Sequence, residues 1–241
     1  MSITSSVMTN MDQLLATWRQ DDQDFVCDGI VDSSQFFTEK VKLLFVLKEA
    51  DKGVGTDLRA YLRESSEITT QNLTWLRAAK WTDGIINFFE YNRLFTWHQL
   101  TEEYLKNPAE YYKKWLSKVS VVNLKKTPPK GPSRLEDIKA YSEGPLNREY
   151  LKKQFELIDP DIIILASEVV ESLYRELSSD SLPLNVVVTP HVKGWIEGET
   201  NRLVLSTYHL SDTLCEEPNE VEHQLWYRDM MEVLSRLGRN G

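Results

Sequence analysis

Val41-Lys42-Leu43-Leu44-Phe45-Val46-Leu47-Lys48-Glu49-Ala50-Asp51 is the stretch from which the rest of the sequence is read. Six of the seven residues from Val41 to Leu47 are apolar, as in a strand buried on both faces, and three charged residues follow within four positions. The chain thus leaves a core and at once presents carboxylates. In open α/β sheets ligands bind beyond the carboxyl ends of the strands, so Glu49 and Asp51 fall where a site is expected.

Upstream of this strand, residues 11–20 suit a short amphipathic helix packed outside the core, carrying Leu14, Leu15 and Trp18. Residues 25–31 are broken by Asp28-Gly29 and read as a turn or short edge strand, with Asp28 as a turn residue first and a site residue as the alternative. Downstream, Gly53 and Gly55 precede a helix over 57–63, an arrangement that lets a helix N-terminus approach an anion. The aromatic stripe of 73–91 and the amphipathic stretch 102–116 predict two further helices, with most of the aromatic residues in the core.

A second strand is expected over 118–124, ending in the amide of Asn123. It runs into Lys125-Lys126-Thr127-Pro128-Pro129-Lys130-Gly131-Pro132-Ser133-Arg134, four cations without an acid on a proline-stiffened loop. Helices over 147–157 and 168–177, strands over 162–167, 184–189 and 202–208, and a closing helix over 224–237 complete the pattern. Strands alternating with helices predict an α/β fold: a three-layer α/β/α sandwich around a central, mostly parallel sheet of four to five strands. With no repeat or linker in sight, 1–241 reads as a single domain.

Composition limits the function classes. Lys and Arg number 28 against 37 Asp and Glu, a net charge of −9 that argues against a nonspecific nucleic-acid coat and makes 125–134 the one phosphate-contacting patch to test. Cys27 and Cys215 match no metal or cluster spacing and read as reduced thiols. Residues 1–12 lack the basic and apolar regions of a secretory signal, and no run of 18 apolar residues occurs, so a cytoplasmic protein without a membrane span is expected.

Taken in order, these strand ends resemble the uracil-DNA glycosylase superfamily. Phe45-Val46-Leu47-Lys48-Glu49-Ala50 is similar to that family's Gly-Glu-Ala-Pro-Gly turn, with Lys48 in place of the first glycine and Asp51 in place of the proline. Val122-Asn123-Leu124-Lys125-Lys126-Thr127-Pro128-Pro129 resembles its strand with a base-reading Asn and a basic, proline-rich loop. Ile158-Asp159-Pro160-Asp161-Ile162-Ile163-Ile164 is like the Pro-led strand that follows, and His209-Leu210-Ser211 stands where the family carries His-Pro-Ser. The likeness spans most of 41–215.

The resemblance implies a monofunctional DNA glycosylase acting on uracil or another modified base flipped out of DNA, in repair or in defence against phage. Glu49, with Asp51 beside it, would orient water and stabilise the sugar cation, and His209 would donate to the leaving base. Asn123 would read the base edge, Tyr61 or Trp81 would stack on the base, and Lys48 would modify the turn. Leu210 or the loop that follows it would fill the vacated stack, Ser211 would contact substrate beside it, and Lys125, Lys126 and Lys130 would hold phosphates. The expected protein is a monomer with DNA as its partner and with no metal or cofactor; an iron-sulfur cluster would need four cysteines where the chain has Cys27 and Cys215. The competing expectation is a glycosylase-fold module that binds nucleic acid without turnover. A metal-dependent nucleotide hydrolase built on Glu49 and Asp51 would need more clustered carboxylates.

Overall fold

The computed structural model describes residues 3–20, 23–51, 57–64, 72–178, 183–210 and 220–238. Within them the chain runs α1 (Ile3–Arg19), β1 (Gly29–Ile30), α2 (Ser33–Phe36), β2 (Leu43–Glu49), α3 (Leu58–Glu64), α4 (Leu73–Tyr91), α5 (Trp97–Lys106) and α6 (Pro108–Leu116). It continues as β3 (Val119–Lys125), α7 (Leu135–Glu143), α8 (Pro145–Ile158), β4 (Ile162–Ala166), α9 (Glu168–Leu177), β5 (Pro183–Val188), β6 (Lys193–Glu197), β7 (Leu203–Thr207) and α10 (Glu220–Leu237).

The strands form one sheet of seven, in the order β1-β3-β2-β4-β7-β6-β5. The inner four, β3, β2, β4 and β7, are parallel, while β1 pairs antiparallel with β3 and the β5–β6 hairpin extends the other border antiparallel to β7. The fold is therefore α/β, with a larger and more mixed sheet than the four to five strands expected. β6 was missed because Lys193-Gly194-Trp195-Ile196-Glu197 is short, carries a glycine and has a charge at each end.

Alternation along β2 explains its nearly unbroken apolar run. Leu43, Phe45 and Leu47 face a core shared with α3, α4, α5, α6 and α10, whereas Leu44 and Val46 face one shared with α1, α7, α8 and α9. Helices thus cover both faces. Connections from β2 and from β4 leave to opposite sides of the sheet, which puts the topological switch point between the carboxyl ends of these two strands.

Local chemistry accounts for the helix boundaries. The stretch expected as one helix over 102–116 is two, because Pro108 fits only the first turn of a helix: Asn107 ends α5 and its side chain caps α6 at Glu110 N. Thr96 and Gln99 start α5 with reciprocal caps. Gly194 has no room for a Cβ, which would collide with Val233, so α10 lies directly on β6.

Candidate active site at the carboxyl ends of the parallel strands

Glu49 closes β2 and is in register with Lys125 at the end of β3. Lys125 Nζ donates to Glu49 Oε2 at 2.7 Å and to the Thr127 carbonyl at 2.8 Å. The Glu49 side chain is only 9% exposed, and its other oxygen, Oε1, is buried without a hydrogen-bond partner among the described residues. Leaving a buried acceptor unmatched costs about 1–3 kcal/mol, more for a charged group, which folded scaffolds normally avoid. Lys48 falls on the opposite face of β2 by strand alternation, and Asp51 is exposed two residues beyond Glu49.

At the end of β7, Thr207 is buried and its hydroxyl has no partner among the described residues. Tyr208, half-buried, stacks on Trp226 of α10 with ring centres 5.1 Å apart. Arg77 of α4 also lies over the Trp226 ring: its guanidinium is 4.9 Å from the ring centre and donates to the Leu210 carbonyl at 2.6 Å. That bond anchors the segment carrying the half-buried His209. Leu210 itself is fully buried, so the expectation that it wedges into DNA does not hold; packing in the core has used its apolar surface. Ser211, Gly53, Gly55 and Cys215 lie outside the described residues.

Other expected site residues are committed elsewhere. Asp28 is fully buried and accepts from Asn123 N at 2.8 Å and Asn123 Nδ2 at 3.1 Å, and from Lys126 Nζ at 2.6 Å and Gln154 Nε2 at 2.8 Å. Lys126 also donates to Gln154 Oε1 and lies 4.8 Å from the centre of the Trp18 ring. Burial pushes the Lys126 ammonium below its ordinary pKa, against the pull of Asp28. Lys126 is therefore an internal ion-pair partner and not a phosphate contact, and one N–H of the Asn123 amide is spent inside the protein. Asp28 is a core residue and not a turn residue.

Trp81 is buried within the core and offers no stacking face at the crest, whereas Tyr61 packs against that core while half-buried. Of the three lysines expected at phosphates, Lys130 alone is exposed. Cys27 is half-buried, and burial first, then Asp57, push its thiol upward, which makes it a poor nucleophile. Among the described residues, no three His, Cys, Asp or Glu side chains gather closely enough to hold a metal ion, and no helix is long and apolar enough to cross a membrane.

A second constellation had no signal in the sequence. His191 sits in the turn between β5 and β6, which is closed by the Thr189–Val192 hydrogen bonds. Its Nδ1 is 2.8 Å from Asp229 Oδ2 of α10. Burial acts to raise the Asp229 carboxyl, but hydrogen bonds from His191 and Arg228 outweigh it and hold the group below the usual carboxylate range. The two residues are 38 positions apart, one in a turn without periodicity, so only the tertiary fold brings them together. Next to this turn, Ser167 links β4 to α9 at φ +135°, a conformation that disfavours side chains, while its hydroxyl caps Val170 N at 3.3 Å.

No protein-family model matches the chain, and no curated protein matches it.

Proposed function

We propose that this protein is a DNA glycosylase that hydrolyses the N-glycosidic bond of uracil or another modified base extruded from DNA. The observation that carries the reading is Glu49: a nearly buried carboxylate at the topological switch point, with one oxygen clamped by Lys125 and the other left without a partner among the described residues. Its clamped oxygen fixes the orientation of the group, and the second oxygen is the acceptor for a water aimed at the sugar. In the reaction, the water oxygen bonds to the sugar's anomeric carbon as the carbon–nitrogen bond breaks. The bond's electron pair departs with the base, and a proton from water ends on the base. Glu49 stabilises positive charge developing on the sugar, while His209, on the segment anchored by Arg77, supplies a donor to the base. The ordered strand-end resemblance to uracil-DNA glycosylases supports the same assignment.

The Glu49–Lys125 pair and the engaged Asn123 also favour a second reading, a glycosylase-like module that binds DNA without chemistry. Abasic-site formation, read as alkaline strand cleavage on single- and double-stranded DNA carrying uracil, deaminated purines or bulky modified cytosines, separates the two. Cleavage that falls about 10²–10³-fold in His209→Ala and at least as far in Glu49→Gln supports the enzyme. Salt-dependent DNA binding with no cleavage of any substrate leaves the module.

A further inference from the structure

A cavity of about 600 Å³ opens between α4, α5 and α6, within the range of roughly 300–1,000 Å³ typical of small-ligand pockets. Lys118, the residue before β3, belongs to its wall, so it lies at the amino ends of the parallel strands, away from Glu49. Among its lining residues Asp83 of α4 is the one buried charged group, only 4% exposed.

A buried acid normally has a cation beside it, because an unpaired charge is costly away from water. Elsewhere in this chain Asp28 has Lys126, Glu49 has Lys125 and Asp229 has Arg228. Asp83 has neutral donors instead: Tyr111 Oη at 2.7 Å on one oxygen and Asn87 Nδ2 at 2.7 Å on the other. Among the described residues it forms no ion pair, and Lys114 acts on it only at a distance. A carboxylate offers about four acceptor sites, so two donors leave room for another.

The charged neighbours of Asp83 are engaged with other groups. Lys80, one turn earlier on α4, donates to Thr101 at 2.9 Å and lies 4.4 Å from the centre of the Trp97 ring. On α5 Lys106 pairs with Glu103, and beyond α6 Lys118 pairs with Glu39. Lys114 lies 4.3 Å from the centre of the Trp115 ring, and Glu110 is exposed at the rim. From α10, burial and then Asp83 push the Tyr227 phenol upward, so this neighbour stays neutral. An anion at the floor would lie against the Asp83 carboxylate, whereas a cation would supply the charge it lacks. Tyr91, Phe95 and Trp115 add aromatic rings to the wall, and such rings suit an ammonium group with an apolar body.

We propose that this cavity binds a small organic ammonium ion, a primary amine with an aromatic or alkyl body, with Asp83 pairing its charge and Tyr91, Phe95 and Trp115 enclosing its body. Tyr111 is the positioning residue that holds the carboxylate in place. The site is independent of the glycosylase reading. Burial raises the Asp83 carboxyl to about 6, and the ammonium ion pairs with the ionised form, so binding strengthens as pH rises through 6 and is lost below it.

The test is binding of phenethylamine and hexylamine to the full chain, by saturation-transfer NMR and calorimetry, beside phenethyl alcohol and hexanol as neutral probes of the same shape. At least one amine is expected to bind with one-to-one stoichiometry at pH 8, about tenfold more tightly than its alcohol, the margin of a charged over a neutral hydrogen bond. Its affinity is expected to fall about tenfold from pH 8 to pH 5, where Asp83 keeps its proton. Asp83→Asn is expected to weaken the amine about 10–100-fold, leave the alcohol unchanged and flatten the pH profile. Glu110→Gln, at the exposed rim, is expected to change the amine's affinity by less than about threefold. Absence of binding by both amines, equal binding of amine and alcohol, a flat pH profile in the parent, or an Asp83→Asn protein that binds the amine like the parent overturns the proposal. If Asp83→Asn does not fold, the pH profile of the parent decides.

Discussion

Lys125 and Lys126 are neighbours on the same strand end, yet they face opposite sides of the sheet and meet acids in opposite circumstances. Lys126 and Asp28 are both fully buried, and Asn123 and Gln154 complete the hydrogen bonding around them. Lys125 and Glu49 sit at the crest, and one carboxylate oxygen lacks a donor among the described residues. A satisfied pair holds structure. An unsatisfied one is what a site retains, because its missing partner can be a substrate or a water.

The largest expected effect is on the satisfied pair. Lys126→Met strands the Asp28 charge in the core and should cost about 3–5 kcal/mol in urea unfolding, with Asp28→Asn added to it restoring much of the loss. A cost below about 1 kcal/mol would erase the contrast between the lysines.

Asp83 of α4 sharpens the contrast from another side, as a buried acid held by neutral donors: Tyr111 Oη at 2.7 Å and Asn87 Nδ2 at 2.7 Å. Burial raises its carboxyl to about 6, despite those hydrogen bonds. The folded protein therefore holds this proton more tightly than the unfolded chain, and the associated stability, present below about pH 4, is lost as pH rises through 6. A carboxyl moved this far is worth roughly 3 kcal/mol. The difference in unfolding free energy between the parent and Asp83→Asn, measured from pH 4 to pH 8, should follow that course; a flat difference would show Asp83 ionised throughout.

Next in size, Lys125→Met should cost about 1–3 kcal/mol, less than Lys126→Met, because the pair it breaks is already incomplete and lies near solvent. A crest lysine as costly as the buried one would mean that both serve the scaffold. The smallest effect belongs to Lys130→Ala, which should leave stability unchanged and lower the salt slope of DNA binding by about 0.9. No change in slope would remove Lys130 from the phosphate contacts.

The two lysines also show what the sequence can and cannot disclose. The apolar run of 41–47 announces a strand covered on both faces, and the structure buries Leu43 through Leu47 accordingly. A basic, proline-rich run announces cations, but not their depth: Lys126 is drawn inside by Asp28, 98 positions away. Its aromatic stripe made Trp81 both a core and a stacking candidate, and packing of α4 decided for the core. Glu49 at its strand end was legible from pattern alone, because the boundary between apolar run and charges is local. His191 and Asp229 were not, since neither a turn nor a long helix marks which polar side chain will meet a distant partner.

His191 hangs from a hairpin added at one border of the parallel strands, while Glu49 and Lys125 stand on the strands themselves. The two are separate building units joined by β7. Lengthening, trimming or exchanging the hairpin would remould the surroundings of His191 without disturbing the foundations of Glu49. Over evolutionary time, such a molecule is free to change the border beside His191 more readily than the strand ends that carry Glu49 and Lys125.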